Sequence, residues 1–323
     1  MRFIRAAVGI AVLLVAPALA NAQGVYPNKP VRLIVAYAAG GVADVIARVI
    51  AAPLGAELGQ NFVVDNRAGA GGAIGTQACV KATPDGYTLC MGSQSSVILN
   101  PMLLKDANYD AQKSFTPITL IAYVPNVLVV SPKINVRTVD DLIKWLKGNP
   151  GAAWGTSGVG TSNHLTSVYL NNKYGFKIEH VPYKGGILAI QEVLANQIPM
   201  AMDQISSSIG HIRNKTLIPI AQSGAIRSVY LPNVPTFAET IFPEFRFDSF
   251  QGLFGPAGLP PAVSTRLSDA IHKIITTRAD VRDNFVELGG VAVANSPAEF
   301  AAQIRDQVPL FRELVQASGI KSQ

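Results

Sequence analysis

The chain has 323 residues, 49% of them hydrophobic and 15% charged, with 27 basic and 21 acidic side chains and a net charge of +6. Two of those positive charges, Arg2 and Arg5, sit at the extreme N-terminus, and the other basic residues are scattered rather than striped, which argues against nucleic-acid binding. Histidines 164, 180, 211 and 272 and the two cysteines lack metal-ligand spacing, so no metal is expected, and no motif calls for a cofactor.

Arg2 and Arg5 precede an uncharged stretch, 6–16, and then Pro17-Ala-Leu-Ala20-Asn-Ala22-Gln23. This is the pattern of an export signal: a basic start, an apolar core too short to span a bilayer, and a small-x-small cleavage site. Cleavage is expected after Ala22, with Ala20 as the alternative, and there is no cysteine at the junction to carry a lipid. Later apolar runs are all cut by Gly, Pro or charge. The mature protein is therefore expected in a bacterial periplasm, with about 300 residues, enough for two domains.

The apolar run 31–36 reads as a strand, and 45–58 reads as a helix. Between them lies Tyr37-Ala-Ala-Gly-Gly-Val-Ala-Asp44, a tight turn with Asp44 placed to cap the helix. Strand, turn and helix start in that order aim free backbone N–H groups above the turn, a seat for an anion that needs no charged side chain. Residues 62–65 and 87–91 read as further strands and 73–82 as a helix, with Pro84-Asp85-Gly86 as a turn. Cys79 on that helix and Cys90 on the next strand can face each other as a disulfide or pack as two buried thiols; spacing alone leaves both open.

Two extended, uncharged stretches, 117–130 and 248–256, are expected to carry the chain from a first α/β unit to a second and back. That places residues 23–122 and 252–323 in one domain and 123–251 in the other. Within the second, Thr138-Val-Asp-Asp141 opens a helix over 139–148 with capping-box spacing, and Asn149-Pro150-Gly151 ends it. Trp154-Gly-Thr156-Ser157-Gly-Val-Gly-Thr161-Ser162-Asn163-His164-Leu165 sets four hydroxyls before a helix, where they can cap it or donate to a ligand. Val181-Pro-Tyr-Lys-Gly185-Gly186-Ile-Leu-Ala189 is a third strand–turn–helix, leading into 189–195. Residues 261–278 and 297–317 are helical by period. The alternation predicts an α/β architecture with mainly parallel sheets and helix-opening turns at strand ends, as a binding cleft requires.

Taken in order, these segments resemble the substrate-binding proteins of tripartite tricarboxylate transporters, the Bug or TctC family. The resemblance rests on Tyr26-Pro-Asn-Lys-Pro30, the 37–44 turn, Val64-Asp-Asn-Arg67 with Gly69-Ala-Gly-Gly72, Pro84-Asp-Gly-Tyr87, 156–165, His180-Val-Pro-Tyr-Lys-Gly185, Leu231-Pro-Asn-Val-Pro-Thr236 and Gly255-Pro-Ala-Gly258. It implies a type II, Venus-flytrap periplasmic binding protein-like fold of two α/β domains joined by two crossover strands. It also implies a small carboxylate ligand, membrane permease subunits as partners and no catalysis; a monomer is expected, and a sensor kinase is the alternative partner.

Carried over by position, the implied ligand residues are Tyr37, Ala39, Gly40, Gly41, Val42, Ala43 and Asp44 in the first loop, with Ser93 and Ser95 after the third strand. The second loop contributes Thr156, Ser157, Gly160, Thr161, Ser162 and His164, the last expected mainly to stabilise its turn, and Gly186 and Asp203 complete the rim. This chain departs from the family pattern with Ala38-Ala39, Ala43, Gly186, Ile187 and Leu188, where members often carry proline, a hydroxyl or an amide. The cleft is therefore expected to be more apolar, suited to an aliphatic or aromatic carboxylate rather than citrate or an amino acid.

Two enzyme readings fail on spacing. Counted from Gly69, the sixth position of a dinucleotide fingerprint is Ile74 rather than glycine. There is no G-x-S-x-G elbow for a serine hydrolase, and no Ser/His/Asp set in a recognisable context.

Overall fold

The computed structural model describes residues 26–224, 227–241 and 249–318. The export signal and its cleavage site lie outside these residues, as does the first residue of the expected return stretch, Asp248.

In chain order, Val31–Val35 is β1, Val42–Leu58 is α1, Phe62–Asn66 is β2, Ala73–Val80 is α2 and Thr88–Ser93 is β3. Asn100–Leu103 is α3 and Phe115–Val124 is β4, after which the single residue Pro125 leads to β5, Asn126–Val130. Then come α4 (Val139–Gly148), β6 (Ala153–Thr156), α5 (Ser162–Tyr174), β7 (Glu179–Pro182), α6 (Gly186–Leu194), β8 (Met200–Gln204), α7 (Ile205–Arg213) and β9 (Ile218–Gln222). The short α8 (Phe237–Thr240) precedes β10 (Ser249–Pro256), followed by α9 (Pro261–Thr277), α10 (Ala279–Glu287), β11 (Val291–Ala292) and α11 (Pro297–Ser318).

Two sheets result, one ordered β11-β4-β10-β3-β1-β2 and the other β7-β6-β8-β5-β9. Neither is mainly parallel, contrary to the expectation from alternation. β1 runs parallel to β2 and β3, and β6 runs parallel to β7 and β8. β10, however, inserts antiparallel between β3 and β4, and β5 inserts antiparallel between β8 and β9. The reason is topological: the strands that cross between sheets enter each one against the direction of its βαβ strands.

Helices cover both faces of each sheet. In the first, Leu33, Val35 and Met91 pack with Ile46, Ile50 and Leu54 of α1 and Leu267 and Ile271 of α9. On the opposite face, Ile34 and Phe254 pack with Phe300 and Ile304 of α11. Strands buried on both faces need no polar alternation, which is why 31–36 is apolar apart from the exposed Arg32 near its start. Cys79 and Cys90 lie inside this second layer as a disulfide, with Cα atoms 5.9 Å apart. The second sheet is built alike, with Trp154, Leu142 and Phe237 on one side and Ile190, Val193 and Ile205 on the other.

α4 has the capping box read from its sequence: Asp141 N–H donates to Thr138 Oγ1 and Thr138 N–H donates back to Asp141 Oδ2, both at 3.1 Å. α1 begins earlier than periodicity suggests. Its N-cap is Gly41, with no side-chain cap, and Asp44 lies inside the first turn rather than at the cap. Among the described residues no helix is long and apolar enough to cross a membrane.

Candidate functional site: a cleft between the two sheets

A cleft opens where the C-terminal ends of β1, β3, β6, β7 and β8 converge, bordered by the crossing strands β5 and β10. The space between its walls is about 520 Å3 with the open mouth included. Of the residues expected at the ligand, Tyr37, Gly41, Val42, Ala43, Ser93, Ser95, Ser157, Ser162, Gly186 and Asp203 line it. Ala39, Gly40, Asp44, Thr156, Gly160, Thr161 and His164 do not, and the structure gives most of these a supporting part instead.

Asp44 braces the first loop. Its Oδ2 accepts from Gly40 N–H at 2.9 Å, and Arg48 Nε donates to both carboxylate oxygens at 3.0 and 3.1 Å. Arg48 continues to Asn66 Oδ1, and Asn66 donates to the Tyr37 carbonyl. Burial works to raise the Asp44 carboxyl, but the bonds from Arg48, Gly40 and Asn66 prevail and hold it below the usual range. Gly40, at φ +79°, takes the left-handed bend that directs the chain into α1, and Gly41 N–H is used on the Ala38 carbonyl. The N–H groups left without a helical acceptor are therefore those of Val42, Ala43 and Asp44, the first turn of a 17-residue helix with no capping side chain. Val42 and Ala43 line the cleft.

The second loop divides its hydroxyls between structure and cleft. Thr161 caps α5, accepting from His164 N–H, and donates to the Gly158 carbonyl at 2.8 Å. Thr156 Oγ1 lies 2.6 Å from His180 Nε2. His164 Nδ1 accepts from Gly160 N–H, and its ring stacks on His180 with centroids 3.9 Å apart. Burial depresses both imidazoles, His164 to about 4 and His180 to about 3, the latter lowered further by its neighbour. The loop also meets the other sheet: Ser162 N–H donates to Ser95 Oγ at 3.0 Å, and a side chain on Gly71 would stand 2.1 Å from the Val159 carbonyl oxygen.

On the far wall, Asp203 is 6% exposed, and its Oδ2 accepts from Ser207 Oγ at 2.6 Å. Burial lifts its carboxyl to about 6 against the lowering effect of hydrogen bonds from Ser207 and the Gln204 backbone. The carboxylate lies directly against Gly186 at the head of α6, where a Cβ would come within 2.0 Å of both oxygens. Tyr37, whose hydroxyl is 2.8 Å from Ser93 Oγ, is raised by burial, and the nearby Asp203 adds to this.

The wall is more polar than the loop alanines imply. Asn126, Asn163, Gln204, Ser249 and Gln251 join the serines, none of them anticipated, and Gly185 adds backbone. The apolar part is confined to Ala38, Val42, Ala43 and Ile187, while Leu188 is 38% exposed and outside the lining. The missed residues come largely from the crossing strands, where a polar side chain within an otherwise uncharged extended stretch was the available signal. Asn163 and Gln251 are 3% and 2% exposed, yet each has a side-chain oxygen without a partner, the kind of atom that a ligand or ordered water completes. Among the described residues, no lysine, arginine or histidine lines the cleft, and no three His, Cys, Asp or Glu side chains are grouped to hold a metal.

The family model for the tripartite tricarboxylate transporter family receptor matches residues 46–320. Protein BugT of Bordetella pertussis is 32% identical over 318 residues, spanning 98% of this chain and 97% of BugT. The structure of the periplasmic binding protein BugD superposes with a TM-score of 0.86 at 28% identity, covering 92% of this chain and 100% of BugD. Rpa4515 of R. palustris, solved with adipate, superposes with a TM-score of 0.85 at 28% identity, covering 91% and 98%. These neighbours are periplasmic binding proteins of mixed α/β architecture, receptors rather than enzymes. On sequence and fold together, the chain belongs to the tripartite tricarboxylate transporter receptor family of the TctC and Bug type.

Proposed function

We propose that this protein is a periplasmic solute receptor that captures a small carboxylate with an aliphatic or aromatic body and delivers it to a membrane permease. Residues 23–122 with 252–323 and residues 123–251 form the two lobes that close on the ligand. The observation that carries the reading is the uncapped N-terminus of α1, whose free N–H groups at Val42 and Ala43 border a cleft with no cationic side chain among its described residues. A carboxylate seated there gains charge-assisted hydrogen bonds, each worth about 1.5–3 kcal/mol, and the favourable end of the helix dipole. Ala38, Val42 and Ile187 supply an apolar strip for the ligand body, and the serines and amides of the wall bind its remaining oxygens directly or through water. The adipate in Rpa4515 supports an aliphatic acid of this size.

A thermal-shift and calorimetric panel tests the reading. Adipate-type and benzoate-type acids are expected to raise the melting temperature more than citrate or aspartate, with affinity in the micromolar range or tighter. Citrate or aspartate ranking first would refute the ligand class.

A further inference from the structure

We propose that Asp203 meets the ligand as a neutral acid, donating its proton to a ligand carboxylate oxygen, so that each capture at neutral pH draws one proton from solvent. The inference rests on the carboxylate reading above. Among the described residues, Asp203 is the one carboxyl group lining the cleft, and it lies across from the loop that opens α1. A ligand carboxylate therefore enters a space whose described lining holds an acidic group and no cation. Two carboxylates in such a space do not both stay ionised; one proton shared between them removes the repulsion and makes a short, strong hydrogen bond.

The packing leaves Asp203 little alternative. Its carboxyl cannot retreat toward α6, because it already rests on the Cα of Gly186, and Ser207 satisfies only part of the acceptor capacity of Oδ2. Val127 of β5, its partner across the sheet, offers no charge. The ionisable group facing it from the first loop is the Tyr37 phenol, which is uncharged where Asp203 titrates and is itself pushed up by the Asp203 charge. Asp44, in the same loop, is bound to Arg48. Lys184 precedes α6 but is exposed and lines a neighbouring chamber. Glu192 lies in the second half of α6, and His211 and Arg213 close the C-terminal end of α7. Burial already brings the Asp203 carboxyl to about 6, and the ligand must carry it past about 8.5 for the acid to stay neutral in the complex at pH 7.5.

Titration calorimetry of the wild-type protein with adipate at pH 7.5, in two buffers of different ionisation enthalpy, is expected to show uptake of about one proton per ligand. Affinity is expected to fall by up to about tenfold per pH unit above pH 6, the limit for one linked proton. In Asp203→Asn, whose amide donates without titrating, adipate affinity becomes flat across pH 6–8 and exceeds that of wild type at pH 8. If the variant fails to fold, the proton count on the wild type decides alone. Adipate binding without proton uptake overturns the inference while leaving the carboxylate reading intact. Aspartate binding that collapses in Asp203→Asn while adipate binding survives also overturns it, by showing Asp203 ionised against an ammonium. Folded wild-type protein that binds none of adipate, benzoate or malate at any pH overturns both.

Discussion

At residue 186 the absence of a side chain decides how the far wall is shaped. A serine here would put its Cβ directly onto the Asp203 Cγ, so the carboxyl keeps its place only because position 186 is glycine. Gly186→Ser is expected to displace Asp203, to cost about 1–3 kcal/mol of stability as an overpacked site does, and to weaken carboxylate binding at least tenfold. Denaturant unfolding and calorimetry on the same preparation measure both effects; unchanged affinity would show that the position of Asp203 is immaterial to the ligand. His164 and His180 act on stability instead. Both titrate in the folded protein well below the ordinary histidine value, chiefly because they are buried. Above about pH 6.5 they are neutral whether the chain is folded or not, and they impose no pH dependence. Below that, the unfolded chain binds protons that the folded one refuses, so stability falls as pH drops from about 6.5 toward 4 and levels off once the folded rings protonate. Asp203 works in the opposite direction, its raised carboxyl gaining stability as pH falls through 6. Comparing wild type with His164→Asn at pH 7 and pH 5 isolates the histidine contribution: wild type is expected to lose more stability between those two values than the variant.

At the scale of elements, the disulfide ties α2 to β3 across a sequence separation of 11 residues. Closing a loop of that length stabilises the fold by about 3 kcal/mol on a chain-entropy account. The paired Cys79→Ala and Cys90→Ala variant is expected to unfold at correspondingly lower denaturant concentration with an m-value equal to or slightly above that of wild type, since the folded layer stays intact and the change lies in a looser denatured chain. The sequence made several elements legible for physical reasons. Residues 31–36 and 62–65 lie within one residue of β1 and β2 because their mostly apolar, β-branched residues are broken only at Arg32 and Asp65. α4 was recognisable from both ends because its capping box and the Asn-Pro-Gly stop are local chemistry. α1 was read three residues late because Asp44 is a good N-cap residue type. The helix instead starts at Gly41, and Asp44 reaches back to Gly40 from inside the first turn. The same kind of ambiguity ran through the second loop. Thr156, Thr161, Ser157 and Ser162 are interchangeable on paper, and only the folded loop shows that the threonines hold the turn while the serines face the cleft. Asn126, Ser249 and Gln251 carried in the sequence only the signal of polarity within an extended stretch, because their facing depends on where two strands cross between sheets, a long-range fact.

For the whole molecule, strand direction was the least legible property. Local alternation of strand and helix implies parallel pairing, but the direction of β10 depends on a sheet whose other central members lie more than a hundred residues earlier. Its position also bears on how the chain matures. β10 fills the slot between β3 and β4, so a chain synthesised only as far as Val124 holds two neighbouring strands of its first sheet with an empty lane between them. The five strands of the second sheet, by contrast, are contiguous from Asn126 to Gln222 and can assemble among themselves. The first-made part of the protein is thus the last to become complete. Until the final third arrives, it presents open strand edges of the kind that must be kept from pairing wrongly, and it does not lock into a finished sheet. Under the proposed export to the periplasm, the late-arriving central strand is a built-in delay.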